Sequence, residues 1–319
     1  MLMNPAPSAI GGIGLDEIHS TGSTTLTASG GIVTDQVIDR AKRESEKQAS
    51  SKLVNRNIIH TIPLEHKIDG LTVLGQPHGL QGTKLSVDTL IITMLAQHHD
   101  DLIEAVEGAG VEVEGVMASP LAASLVTLTK TQKMAGVCLA NIGSETISIV
   151  IFDNDIPISL KVFPVGASDI TNTIALSFQV PLHEAEQLKR GAVSGSDIPQ
   201  RKMDALVTKK LKEMFTLVNG HLKVIGRQRL LPAGIVITGG GSGLTSAAEI
   251  ARGVLQLPSS TSQIGLLSRA SSVDATWAVA AGLCRWAYAE DRVGRTSSLG
   301  EVFSDGWQSI KRGIRSLLP

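Results

Sequence analysis

The chain has 319 residues, enough for two domains or one large α/β unit, and 42% of them are apolar, enough for a substantial core. A formal net charge of −1 argues against a nucleic-acid binder held by bulk electrostatics, and 3% aromatics with one Tyr disfavour a base-stacking surface. Cys138 and Cys284 sit in apolar runs without metal-ligand neighbours, so both read as reduced, buried thiols of a cytosolic protein. The opening MLMNPAPSAIGG lacks the basic start and long apolar run of a signal peptide, and no stretch reads as a transmembrane span.

In chain order, Thr24–Ser29 alternates as a strand and ends at the turn signal Gly30-Gly31. Thr34 or Asp35 caps a helix through Val37, Ile38 and Ala41 to near Gln48. Asn57–Pro63 and Leu85–Leu95 are predicted strands, and His98–Gly108 a helix closed by Gly108 and Gly110. Val111–Met117 is a strand, and Ser119-Pro120 opens a helix with Pro in its first turn. Gly136–Asn141, Thr146–Phe152 and Ile156–Phe163 follow as three strands with tight turns. Helices are predicted at 167–178, 181–190 and 202–225. The buried strand Ala233–Thr238 runs into TGGGSG and a helix from Leu244 to about Gly253, and 275–288 is a late apolar helix. Strand clusters alternating with helices give an α/β class, without internal repeats or low-complexity tracts.

The end of the chain carries a distinct pattern. Ala289–Ser304 is polar and rich in Gly, Ser and Thr, as in a tether. Beyond them, on a 3.6-residue period, Trp307, Ile310, Ile314, Leu317 and Leu318 fall in one arc of about 100°. Lys311, Arg312 and Arg315 flank that arc. An apolar stripe with all-positive flanks suits an anionic lipid surface, and the segment is too short and too charged to span a bilayer. The plain alternative is a terminal helix docked on its own core.

Two strand-to-loop glycine clusters remain. In CLANIGSETISIVIF (Cys138–Phe152), Gly143 allows a sharp turn whose backbone N–H groups can form an anion nest. In GIVITGGGSGL (Gly234–Leu244), three glycines let the chain approach a ligand, and the next helix points its N-terminus at any phosphate. Either loop alone is equally a hairpin or a tight connection. Together and in this order they resemble the actin-like ATPase fold. The resemblance makes the first loop its second phosphate loop, with Gly143, Ser144 and Thr146 at the nucleotide, and TGGGSG its adenosine loop, with Gly239, Gly240 and Gly241. Between them Ala185-Glu186-Gln187-Leu188-Lys189 is similar to an AE-x-x-K segment that supplies Glu186 and Lys189 to the adenosine. The implied cofactors are ATP and Mg2+. Read without the resemblance, the segment is a solvated helix face with a charge pair.

Within that superfamily the chain resembles the bacterial cell-division FtsA family over nearly its whole length. The matching stretches are Ile10–Ser20, His60–Gly70 (HTIPLEHKIDG), Leu90–Ser124, the two loops and Ala278–Leu283 (AVAAGL). The implied fold is α/β, actin-like (ribonuclease H-like), with an inserted small α+β subdomain, N-terminally incomplete, plus a C-terminal amphipathic helix. The implied division is 1–110 as the inserted subdomain with a lead-in strand and 111–135 as a remnant of the first actin-like subdomain. Residues 136–290 form the second half, 291–303 a linker and 304–319 a membrane-targeting helix.

FtsA-like proteins tether FtsZ filaments to the inner membrane face and polymerise. The FtsZ C-terminal peptide is expected on the helix at Val207–Leu222, with Lys209, Lys210 and Lys212 meeting acidic groups and Met214, Leu217 and Val218 offering an apolar face. A core helix with a solvated basic edge fits that helix equally well.

Two departures bear on the chemistry. The family's opening phosphate-loop hairpin is absent from this sequence. The remaining loop reads Asn141-Ile142-Gly143-Ser144-Glu145-Thr146 where the family has Asp-Ile-Gly-Gly-Gly-Thr. Asn141 lacks the charge that orients metal-bound water. Weak ATP binding with little or no hydrolysis is the expectation. The rivals are an actin-fold ATPase or kinase, a soluble pilus-assembly-type scaffold without a lipid-binding tail, and a truncated gene product.

Overall fold

The chain begins with a strand the pattern does not announce, β1 (Asn4–Ile10), because Pro5 and Pro7 interrupt its alternation. Proline lacks the ladder N–H and is tolerated mainly at edges. The structure is a computed structural model that describes residues 4–26, 30–191, 199–244, 246–264 and 274–293. A unit of its own follows: β2 (Asp16–Thr25), α1 (Asp35–Gln48), β3 (Arg56–Ile68), the two-residue β4 (Leu71–Thr72), β5 (Lys84–Leu95) and α2 (Ala96–Gly108). The chain then returns as β6 (Val111–Ala118), which pairs in parallel with β1. Everything from β2 to α2 is therefore inserted between two neighbouring strands.

The inserted strands form one antiparallel sheet in the order β2-β5-β3-β4. At the end of β5 that meets the rest of the chain, LIITML (90–95) is apolar but for Thr93, because there both faces are covered. Leu85 and Val87 face Val37 and Ala41 of α1, while Leu90, Ile92 and Met94 face the rest of the molecule, alongside Met117, Leu121 and Leu160. Helix α1 lies very close to β2. A Cβ on Gly22 would fall 1.9 Å from the Ala41 carbonyl, so only glycine allows this approach.

After β6 come α3 (Ser119–Thr127), α4 (Lys130–Ala135), β7 (Val137–Ile142), β8 (Ile147–Asp153), β9 (Ile156–Phe163), α5 (Ala167–Phe178), α6 (Leu182–Lys189), α7 (Gln200–Val224), β10 (Ile235–Thr238), α8 (Ala247–Leu255), β11 (Ser259–Thr261) and α9 (Ala278–Val293). The five strands make a sheet ordered β11-β10-β7-β8-β9, parallel across β11, β10 and β7 and antiparallel across β7, β8 and β9. Cys138, Ala140 and Ile142 point to one face, against α5–α8, and Val137 and Leu139 to the other, with residues of α3 and α9. Helices α3 and α9 touch through small residues: a Cβ on Gly282 would lie 1.9 Å from the Ala122 carbonyl.

Several expectations are corrected. Cys284 is exposed; only Cys138 is buried, and burial pushes its thiol up to about 12. The first predicted strand lies earlier than the sequence pattern placed it, at Asp16–Thr25. Thr34 holds the cap position of α1 without a side-chain capping bond. Helix α9 runs to Val293, past the predicted start of the linker. Helix α4 is short but signalled: Thr129 and Gln132 form a reciprocal capping box. The predicted amphipathic helix at 304–319 lies outside the described residues, as does the stretch 294–303. Among the described residues, no helix is long and apolar enough to cross a membrane.

Candidate functional site

Strands β7 and β10 run side by side in parallel, with Asn141 opposite Thr238. Both glycine loops therefore leave from the carboxyl ends of adjacent parallel strands, where open α/β sheets place their ligands. In the first loop the Gly143 N–H donates to the Thr146 carbonyl at 2.9 Å, closing the hairpin. In the second, Gly239 takes φ +84°, and the Ser242 N–H and hydroxyl donate to its carbonyl at 3.0 and 2.7 Å.

The three glycines of the second loop have different jobs. A Cβ on Gly239 would lie 2.2 Å from Asn141 Oδ1, and one on Gly241 2.3 Å from Ile142 Cγ2. Those two glycines seat one loop against the other. A Cβ on Gly240 would meet nothing nearer than Thr276 Cγ2 at 3.6 Å, so this backbone is the one open to a ligand.

The N-terminus of α5 closes the arrangement. The Ala167 N–H donates to the Gly143 carbonyl at 2.9 Å and the Ser168 N–H to the Ser144 carbonyl at 2.8 Å. The Ser144 and Ser168 hydroxyls are 2.7 Å apart, and the Gly166 N–H donates to Asp169 Oδ2 at 2.8 Å. A helix N-terminus ordinarily offers such N–H groups to an anion. Here the hairpin's own carbonyls occupy them.

Glu186 and Lys189 close on the same helix. Lys189 Nζ lies 2.6 Å from Glu186 Oε2 and donates to Thr171 Oγ1 at 2.8 Å and the Ala167 carbonyl at 3.2 Å. The Thr171 hydroxyl donates to Glu186 Oε2 at 2.6 Å, and Arg190 Nε to Oε1 at 2.9 Å. Burial pushes the Glu186 carboxyl up, but the bonds from Lys189, Thr171 and Arg190 outweigh it and hold it at about 2. The first loop, through Gly143 and Ser144, and the pair Glu186 and Lys189 thus gather around residues 166–171, while Gly239 and Gly241 of the second loop pack on Asn141 and Ile142. Gly166, Ser168 and Thr171 were missed in the sequence, although glycine followed three residues later by Asp169 is a readable helix start.

A nucleotide with magnesium fits this arrangement in part. Gly240 and the hairpin backbone can approach phosphate. Asn141 supplies no charge to hold metal-bound water, and its Oδ1 packs toward Gly239. Glu145 is exposed at the hairpin tip. Among the described residues, no cluster of His, Cys, Asp or Glu has metal-ligand geometry.

On α7, Lys209 and Lys212 are exposed, while Lys210 pairs with Glu213 at 2.9 Å. Leu217 is 45% exposed. Met214 is not on this face: it is fully buried with Leu211, Phe215, Val218 and Leu222, the stripe that helical spacing turns onto the sheet. The predicted partner contact at Met214 is therefore withdrawn, and Val218 goes with it. Trp307, Ile310, Lys311, Arg312, Ile314, Arg315, Leu317 and Leu318 lie outside the described residues.

Two family profiles match the chain. "SHS2 domain inserted in FTSA" covers residues 14–93, the stretch from just before β2 through most of β5, and "Cell division protein FtsA" covers residues 138–282. The chain belongs to the FtsA family. It is 28% identical over 275 residues to the FtsA of Pseudomonas aeruginosa, covering 79% of this chain and 65% of that protein. It is 31% identical over 229 residues to the FtsA of Buchnera aphidicola subsp. Baizongia pistaciae, covering 63% and 54%. Against the FtsA of Bacillus subtilis it is 27% identical over 220 residues, covering 62% and 50%. The chain spans between about half and two thirds of the length of these FtsA relatives. Among solved structures it is similar to the PilM-PilN type IV pilus biogenesis complex, with TM-score 0.60 and 19% identity, covering 85% of this chain and 76% of that one. It is also similar to MreB5 of Spiroplasma citri bound to ADP, with TM-score 0.52 and 14% identity, covering 63% and 68%. The fold is actin-like, carrying the FtsA-type insertion.

Proposed function

We propose that this FtsA-family chain serves cell division as an adaptor that holds FtsZ filaments at the cytoplasmic face of the membrane and associates with copies of itself. The observation that carries the reading is the family match across both the inserted domain and the second half, in a chain that also bears the amphipathic pattern at 304–319. The exposed Lys209, Lys212 and Leu217 on α7 support docking of the acidic, partly apolar FtsZ tail.

Each tail side chain buried in lipid contributes up to ~1.5–3 kcal/mol before the cost of ordering the helix. Each of Lys311, Arg312 and Arg315 adds ~1 kcal/mol on an anionic surface. One tail therefore binds reversibly, and many tails on one filament bind durably through effective concentration. Nucleotide enters the proposal as a weak ligand of the two glycine loops. The likeness to an ADP-bound MreB supports binding, while Asn141 and the occupied N–H groups of α5 argue against turnover.

A second reading, a soluble scaffold of pilus-assembly type, is favoured by the likeness to the PilM-PilN complex. Co-sedimentation with anionic and neutral liposomes, with and without residues 304–319, separates the two. Tail-dependent binding that strengthens with anionic lipid, and that Trp307→Glu or Ile314→Glu abolishes, is expected. Indifference of the intact, folded chain to lipid would overturn the membrane reading.

A further inference from the structure

Strand β9 is the edge of the five-stranded sheet, and an edge strand leaves a row of backbone groups without a ladder partner. The inserted unit answers this with one side chain. Glu17, on β2, accepts the Leu160 N–H at its Oε2 (2.5 Å) and the Ser159 hydroxyl at its Oε1 (2.8 Å). The chain of bonds continues: Ser159 Oγ lies 2.8 Å from His221 Nε2 on α7. With the Ser159 proton given to Glu17, the His221 Nε2–H donates to Ser159. Ser159 is fully buried, and the Glu17 and His221 side chains are only 12% and 11% exposed. The edge of Phe163 holds the imidazole from the side, with ring centroids 6.3 Å apart.

A second polar crossing from β2 to β9, Lys161 to Asp16 at 3.2 Å, is nearly half exposed and contributes little. The buried relay is different. Removing one member strands a desolvated partner, which costs more than the bond itself contributes. Burial already pushes the Glu17 carboxyl up against the pull of the Leu160 and Ser159 bonds.

We propose that the Glu17–Ser159–His221 relay makes the seating of the inserted unit and the C-terminal half of α7 a single equilibrium, so that this unit regulates the partner face of α7. The inference rests on the proposed docking of an acidic peptide on α7. It deepens that reading by assigning the control to a residue about 200 positions away in sequence. His221 lies one helical turn beyond Leu217 on the same helix, so its position fixes the turn that carries the exposed apolar contact. Coupling of this kind is reciprocal: peptide on α7 must also steady β2.

The test is hydrogen exchange on the full chain, wild type against Glu17→Ala and Glu17→Gln, followed by titration with the FtsZ C-terminal peptide. Glu17→Ala is expected to speed exchange by about tenfold in β9 and in the last two turns of α7, with β7 and β10 unchanged as the internal check of folding. Glu17→Gln, which retains one acceptor, is expected to fall between. Peptide binding to the wild type is expected to slow exchange in β2, and Glu17→Ala to shift peptide affinity at least threefold. Exchange changes confined to β2 and β9, with α7 untouched, would overturn the relay. Failure of the peptide to bind even the wild type, with the α7 exchange response intact, would instead overturn the proposed partner and leave the relay standing.

Discussion

The two larger sheets of this molecule solve the same problem differently. The five-stranded sheet is covered on both faces by helices, and its strands β7 and β8 are buried almost throughout. The inserted sheet has one helix, α1, on one face. Its other face is apolar only where it meets the rest of the chain, at Leu90, Ile92 and Met94. Farther along, that face carries cross-strand polar groups: Lys67 bonded to Asp88 at 2.7 Å and paired with Glu65 at 2.9 Å, and Ser23 beside Ser86 at 3.0 Å. A doubly covered sheet is held by packing and fails as a unit. A singly covered one depends on a few close approaches and can loosen alone.

Two glycine substitutions should break that comparison most sharply. Gly282→Val drives a side chain into the Ala122 carbonyl at the α3–α9 crossing. The expected loss exceeds ~4 kcal/mol, with no folded protein recovered. Gly22→Val makes the equivalent clash with Ala41 in the inserted unit. It should free α1 and β2 to exchange while β7, β8 and β10 stay protected. Exchange mapping that finds the whole chain unfolded in Gly22→Val would refute the opening of the inserted sheet without the central strands β7, β8 and β10.

Next in size, Phe215→Ala opens a cavity in the second half at a cost of ~3–5 kcal/mol, read as a drop in the urea midpoint at constant slope. The same experiment on exposed Leu217 should show almost no change.

His60 gives a pH-dependent test at the junction between the inserted sheet and β6. Its Nε2 accepts the Ala118 N–H at 3.0 Å, and burial pushes its pKa down from 6.5 to about 3. As pH falls below 6.5 the unfolded chain takes up a proton that the folded chain refuses, so stability declines from there toward pH 3. The slope contributed by this one group is at most ~1.4 kcal/mol per pH unit. Urea midpoints at neutral and mildly acidic pH should converge in His60→Gln, which keeps an acceptor for Ala118. An undiminished pH dependence would remove His60 from the account.

The smallest effect belongs to the polar face of the inserted sheet. Lys67→Met should cost no more than ~1 kcal/mol, because a third of the side chain is in water. A larger loss in a thermal melt would mean that this face contributes to stability as the apolar face does.

Most elements were legible because their local signals agree. The three strands after Gly136, the helix opened at Ser119-Pro120 and the long helix over 202–225 all carry period and punctuation together. What escaped had conflicting or overlooked signals: β1 has two prolines, β11 has three residues, and α4 rests on the Thr129 capping box. At the candidate site the two glycine loops and the Glu186/Lys189 pair were readable as motifs. Their arrangement was not: the two loops meet because β7 and β10 become neighbours across nearly a hundred residues of chain, and Glu186 and Lys189 join the first loop only through residues 166–171 of α5.

The sequence by itself determined the α/β class, the positions of the loops and the family resemblance, because these follow from local periodicity and from short motifs whose chemistry travels with them. Only the tertiary structure decided which residues are free to act. Helical periodicity names Met214 and Leu217 alike as apolar, but packing buries one and exposes the other. Three adjacent glycines look equivalent until Asn141 and Ile142 take up two of them. Glu17 looks like a surface carboxylate until the open edge of β9 gives it two donors. In each case the deciding partner lies far away in sequence, and burial is a property of the contact rather than of the residue.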